Sequence, residues 1–353
     1  MNALLILGTI VSLLVMLAIG ASYVGAWVVE RAHPPVGTFA VINGTRIHHV
    51  HRPAHPDKAN LPPVVFIHGA SGNLLDQMVP ILPHLEGRAD VLFVDRPGHG
   101  WSERGRGNED PYEQAATIAG LMDAIGIEGA IVVGHSFGGA VAAALALSHP
   151  ERVRGLVFLS PATHPWPGAR TSWYYSLAAM PVIGPLFVRV LAVPTGHLVI
   201  EKASAGVFAP NRKPPSYVSD AAIRLVLRPA SFRWNAIDVE GLYDHVAQAA
   251  PRYRETDAPT VVVSGNRDTV VYEEIHSLGL ARDIPGAELL WIDNLGHKPD
   301  WVAPDLVVAA IEQVSGMPVD TAAIIAGVKA RIAGDAFGPL EPRADDPELS
   351  PAQ

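Results

Sequence analysis

The stretch Ala130-Ile-Val-Val-Gly134-His135-Ser136-Phe137-Gly138-Gly139-Ala140 decides how the rest of the chain is read. Its apolar run Ala130–Val133 reads as a strand buried on both faces, and the Ala-rich run Ala140–Leu147 reads as a helix. Between them lies a sharp strand-to-helix turn with Ser136 at its tip. Such a turn crowds its neighbours and strains the serine backbone, so the flanking positions must be glycine, as Gly134 and Gly138 are. A hydroxyl placed there sits at a helix N-terminus, where developing negative charge is favoured. A lone G-x-S-x-G is a weak signal, and the preceding strand and following helix give it weight. The alternative is a Gly-rich helix start with a capping serine.

Working outward, short runs rich in Val, Ile and Leu recur at Val64–Ile67, Val91–Val94, Leu156–Leu159, Thr260–Val263 and Leu289–Ile292. Upstream, Thr38–Ile42 and Thr45–Val50 flank Asn43-Gly44, a strong two-residue hairpin signal. That makes eight strands, the first pair antiparallel and the others joined by helix-length connections. The expected fold is therefore α/β, an eight-stranded mostly parallel sheet with helices on both faces. One connection is too long for a simple crossover. Residues 161–257 carry two Pro-rich punctuations and helical patterns at Asp220–Leu227 and Ile237–Ala250, and read as a helical lid inserted after strand 6. The core then comprises residues 31–160 and 258–333, the second part closing with an amphipathic helix over Thr321–Ala333. The acidic tail 334–353 reads as disordered.

A serine nucleophile needs a base, and the base an orienting acid. In the chain order Ser…Asp/Glu…His, the acid follows a late strand and the histidine follows the last one. The strand Thr260–Val263 runs into Ser264-Gly-Asn-Arg-Asp268, and Leu289–Ile292 into Asp293-Asn-Leu-Gly296-His297. Asp268 is thus the expected acid and His297 the base. Asp293 and Asp257 are the rival acids; Asp293 is close to His297 in sequence and reads as a surface turn. The oxyanion of a tetrahedral intermediate needs two donors. These would be the backbone N–H of Phe137 and that of Ala70, with Ser71 as second choice, in the loop His68-Gly69-Ala70-Ser71-Gly72-Asn73. His68 and Gly69 read as shaping that loop.

Taken together, His68-Gly69, Asp95-Arg-Pro-Gly-His-Gly100, Gly134-His-Ser-Phe-Gly138, Gly265-Asn-Arg-Asp268 and Gly296-His297 resemble the α/β-hydrolase superfamily, over about Thr38 to Val314. The resemblance implies Ser136 as nucleophile, Asp268 as acid and His297 as base, and a structural role for the Asp95 loop. A serine stands where similar haloalkane dehalogenases and epoxide hydrolases carry an aspartate, which argues against those activities.

The chain has 353 residues, a net charge of −9 and no cysteine. Without Cys, disulfide frameworks, thiolate metal sites and cysteine nucleophiles are excluded. The acidic balance argues against nucleic acid as a partner. Mean hydropathy is +0.21, raised by a local cause: residues 3–29 hold no charged side chain. That length spans a bilayer, so residues 1–30 read as an N-terminal transmembrane anchor, with Tyr23 and Trp27 in the interfacial belt. A cleaved signal peptide is the competing reading, and the flanking charges leave the side of the membrane open.

His48, His49, His51 and His55 read as a solvated hairpin rather than a metal site. Trp166, Trp173, Tyr174 and Tyr175, with Met180, would line an apolar acyl pocket or merely pack the lid. The expected activity is hydrolysis of a hydrophobic carboxylic ester through an acyl-enzyme, with no cofactor and no metal. Cleavage of a C–C bond or an amide by the same triad is the alternative, and a non-catalytic scaffold a third reading against which the complete triad argues. Oligomeric state is not legible.

Overall fold

The computed structural model describes residues 3–333, so the expectation for the acidic tail lies outside the described residues. The strands are β1 Thr38–Ile42, β2 Thr45–Arg52, β3 Val64–Ile67, β4 Val91–Val94, β5 Ala130–His135, β6 Val153–Leu159, β7 Thr260–Gly265 and β8 Glu288–Ile292. They form one sheet in the order β1-β2-β4-β3-β5-β6-β7-β8. β1 pairs antiparallel with β2 and β2 with β4; every other pairing is parallel. The crossover that sends β3 between β4 and β5 places the loop after β3 directly beside the end of β5.

Successive strand residues point to opposite faces, and both faces are buried. Val64 and Phe66 join one apolar cluster with Phe93, Leu306 and Ile311, while Val65 and Ile67 join the other with Ile118, Val141 and Leu145. The helices are α1 Ala3–Ala32, α2 Leu75–Leu85, α3 Pro111–Ile125, α4 Phe137–Ser148, α5 Trp173–Ala179, α6 Ile183–Phe187, α7 Val193–Phe208, α8 Tyr217–Asp220, α9 Pro229–Ala249, α10 Glu273–Asp283, α11 Pro299–Val302, α12 Pro304–Val314 and α13 Thr321–Ala333. Of these, α1 stands largely outside the fold, with only Ser22 and Val29 buried. The chain from α5 to α9 lies between β6 and β7, as the long connection required.

Two expectations are corrected. Asp220–Leu227 is not one helix: α8 stops at Asp220, and Ile223–Leu227 is a separate 3₁₀ segment. The break sits at Ala222, in left-handed conformation with φ 48°. There Asn73 Nδ2 takes the carbonyls of Ala221 (2.7 Å) and Ala222 (3.3 Å), which a continuous helix would have used internally. Nor is the histidine hairpin solvated throughout: His55 is exposed and His51 half-buried, but the other two are not. Because β4 pairs with β2, His48 and His49 are buried, and His48 Nδ1 lies 2.7 Å from Asp95 Oδ2.

Candidate active site

β5 ends at His135 and α4 begins at Phe137, leaving Ser136 alone between them with φ 51° and ψ −120°. A non-glycine residue held at positive φ costs on the order of 1–3 kcal/mol and persists only where its surroundings over-determine it. Here Ser136 N donates to Leu159 O (3.0 Å), and Ser136 O accepts from Gly139 N (2.9 Å) and Ala162 N (3.0 Å). The glycines have steric reasons. A Cβ on Gly138 would stand 2.1 Å from Ile67 O, and one on Gly134 2.5 Å from Gly138 O. Ser136 itself is 7% exposed.

His297 and Asp268 meet at the ends of β8 and β7, with His297 Nδ1 2.7 Å from Asp268 Oδ2. The other carboxylate oxygen, Oδ1, accepts from Val270 N (2.8 Å) and Val271 N (3.0 Å), so the acid is fixed in one orientation. Both side chains are buried. The rivals lie elsewhere: Asp293 is exposed and pairs with Lys329 (2.9 Å), and Asp257 is exposed ahead of β7. His135 Nε2 lies 2.9 Å from His297 O, and the two rings are 4.9 Å apart. The residue just before Ser136 therefore holds the backbone of His297, a role the sequence did not reveal. Among the described residues no hydrogen bond joins Ser136 Oγ to His297; in unliganded hydrolases that contact is often long.

The loop after β3 rests on the serine, since a Cβ on Gly69 would stand 3.0 Å from Ser136 Cβ. Ser71 N donates to Asn235 Oδ1 at 2.6 Å, so the second-choice oxyanion donor is already engaged. Ala70 and Phe137 have no protein acceptor for their N–H among the described residues. Asn235, in α9, returns a second bond to Ser71 Oγ (3.1 Å), and Tyr175 OH lies 3.2 Å from the same oxygen.

Behind the loop, the buried Arg96 guanidinium donates to His68 O (3.0 Å), Gly69 O (3.2 Å), Gln114 Oε1 (3.0 Å) and Asp238 Oδ2 (3.0 Å). It also lies 4.3 Å from the centre of the Phe137 ring. His68 Nε2 accepts from Arg96 N (3.0 Å). Burial first, and then the Arg96 charge, push the His68 imidazole down to about 3, so it stays neutral. Asp95 takes the N–H groups of Leu74 and Trp101, each at 2.7 Å. That is the structural role expected of this loop.

Asp76, His135 and Asp300 bring three potential metal ligands together. The cation between the carboxylates is the protein's own: Lys298 Nζ lies 2.9 Å from Asp76 Oδ2 and 3.1 Å from Asp300 Oδ2. Burial raises the Asp300 carboxyl, which Lys298 opposes. Of the lid aromatics, Trp166 packs edge-on to Tyr243 and joins the core. Trp173 is largely exposed beside Tyr174 and Phe187, and Tyr174 packs on Tyr175 at 4.5 Å. Tyr175 is the aromatic that reaches the loop after β3.

The profile of the alpha/beta hydrolase fold matches residues 62–304. The chain belongs to this family. This α/β hydrolase is 30% identical over 274 residues to a 2-hydroxymuconate semialdehyde hydrolase of Pseudomonas sp. (strain CF600), covering 75% of this chain and 88% of that one. It is 29% identical over 261 residues to an sn-1-specific diacylglycerol lipase of Mus musculus, covering 70% and 78%. Its fold is similar to that of a membrane phospholipase A, with TM-score 0.59 and 21% identity, over 92% of this chain and 97% of the other.

Proposed function

We propose that this hydrolase cleaves a hydrophobic carboxylic ester through an acyl-enzyme, with Ser136 as nucleophile, His297 as general base and Asp268 holding the imidazole tautomer. The observation that carries the reading is the pairing of a serine at φ 51° on a strand-to-helix turn with a buried His297–Asp268 contact of 2.7 Å beside it. In the first step His297 removes the Ser136 proton as the oxygen attacks the ester carbonyl. The oxyanion is received by the N–H groups of Ala70 and Phe137, aided by the N-terminus of α4. Collapse expels the alcohol, which takes the proton from His297. Water activated by His297 then attacks the acyl-enzyme and releases the acid. No step calls on a cofactor or metal. Trp166, Tyr174 and Tyr175 would border the acyl chain. α1 would anchor the enzyme in a bilayer; its length and composition support this, as they would a signal sequence.

The second reading is C–C bond hydrolysis, favoured by the resemblance to a 2-hydroxymuconate semialdehyde hydrolase along most of the chain. Two measurements separate the readings. Fluorophosphonate labelling followed by intact mass gives one adduct on the wild-type chain and none on Ser136→Ala. Turnover is then compared on a p-nitrophenyl ester chain-length series and on a vinylogous diketone acid. Ester turnover with a long-chain optimum supports the first reading, and preference for the diketone supports the second. No adduct on folded protein overturns both.

A further inference from the structure

The surface of the lid carries two features that the chemistry at Ser136 does not use. The first is apolar. In the stretch around α6 and α7, Val182 is 86% exposed and Leu198 84%, with Ile183, Leu186, Leu191 and Val199 also exposed. The span Ile183–Phe208 is itself long and apolar enough to cross a membrane by length and composition, yet only 22% of its most apolar window is buried. The second is electrostatic. Over residues 161–257 there are ten Lys or Arg residues against seven Asp or Glu, in a chain whose net charge is −9. Lys213 and Arg224 pair with Glu201 and Arg228 with Glu30, while Arg170, Lys202 and Arg212 are exposed.

The position of α1 says what covers this surface. The last third of α1 docks on the lid. Ser22 Oγ donates to Arg189 O, Arg189 Nε donates to Tyr23 OH (3.2 Å), Arg228 pairs with Glu30 (3.4 Å), and Val29 packs with Ala222 and Leu225. A hydrocarbon core about 30 Å thick takes roughly 20 helical residues. Counted from Ala3, those residues end near Ser22, where contact with the lid begins. Tyr23 and Trp27 then fall at the level of the headgroups.

We infer that the lid is a second, in-plane membrane contact: its exposed apolar side chains sit at the boundary of acyl chains and headgroups, and its exposed basic residues Arg170, Lys202 and Arg212 meet anionic lipid. The inference rests on the reading of α1 as an anchor. Its partner is a lipid surface carrying negative charge, to which lid cations contribute electrostatically. Trp173 belongs to this contact. A hydrophobic substrate would then pass from the bilayer under the lid to Ser136 without crossing bulk water.

The absence of cysteine makes a clean test. Full-length Leu14→Cys, Leu198→Cys, Val182→Cys and Glu151→Cys are each labelled with an environment-sensitive fluorophore and reconstituted in phosphatidylcholine–phosphatidylglycerol vesicles containing brominated lipid. Glu151 lies at the opposite end of the sheet, ahead of β6. The expected result is strong quenching at Leu14, Leu198 and Val182 and none at Glu151, with lid quenching reduced in vesicles lacking phosphatidylglycerol. Quenching at Leu14 with lid labels as bright as Glu151 overturns the lid contact and leaves the anchor intact. No quenching at Leu14 overturns the anchor, and the inference built on it falls with it.

Discussion

At the scale of single residues, the roles proposed around Ser136 predict different responses to substitution. Ser136→Ala would remove the proposed nucleophile and relieve little strain, so the expected outcome is loss of turnover with the thermal midpoint kept. Asp268→Asn keeps the contact geometry but favours the wrong imidazole tautomer, and kcat falls by about 10³–10⁴-fold. The same substitution at Asp293 leaves kcat unchanged. Asn235→Ala acts at a distance from the bond being broken. It frees Ser71 N and leaves Ser71 Oγ with Tyr175 OH alone, loosening the loop that carries the Ala70 N–H. The expected outcome is a kcat lowered about 10–100-fold with KM nearly constant, measured on a short soluble ester, because the proposed donor would act on the developing oxyanion. Asn235 was silent in the sequence, as was His135, because each acts through a residue far along the chain. Arg96 stood inside a quoted motif without an assigned role.

At the scale of elements, the loop after β8 depends on the buried cluster beneath it. Lys298 follows His297 directly and is pinned by Asp76 on α2 and by Asp300 on α11. Lys298→Met strands two buried carboxylates, and removing one partner of a buried ion pair costs about 3–5 kcal/mol. Urea melts should show that loss, and Lys298→Met with Asp300→Asn should recover part of it, since one stranded charge is gone. No recovery would mean that Lys298 stabilises through packing alone. The strands were legible to within a few residues because a buried strand must be continuously apolar, and the turn at Ser136 was legible because only glycine fits beside it. The break at Ala222 was not. Its cause is Asn73, nearly 150 residues upstream.

At the scale of the whole molecule, acid stability follows from histidines kept neutral by burial. His68 and His276 are each held down to about 3, in both cases by burial first. Between pH 6.5 and 3 the unfolded chain takes up protons that the folded chain refuses, so stability falls as pH falls through that window. Each histidine contributes up to about 1.4 kcal/mol per pH unit there. Chemical denaturation at pH 7 and 4.5 should show the loss, and His276→Gln should reduce the slope. The sequence by itself determined the strands, the insertion after β6 and the candidates Ser136, Asp268 and His297, because burial of strands and the steric demands of a tight turn are written in local residue patterns. Tertiary structure alone decided that β3 lies between β4 and β5 and that β4 buries the His48 strand. It also decided that Asn235 engages Ser71 and that α1 docks on the lid. Those choices are made by contacts between residues distant in the chain, whose partners no local pattern specifies.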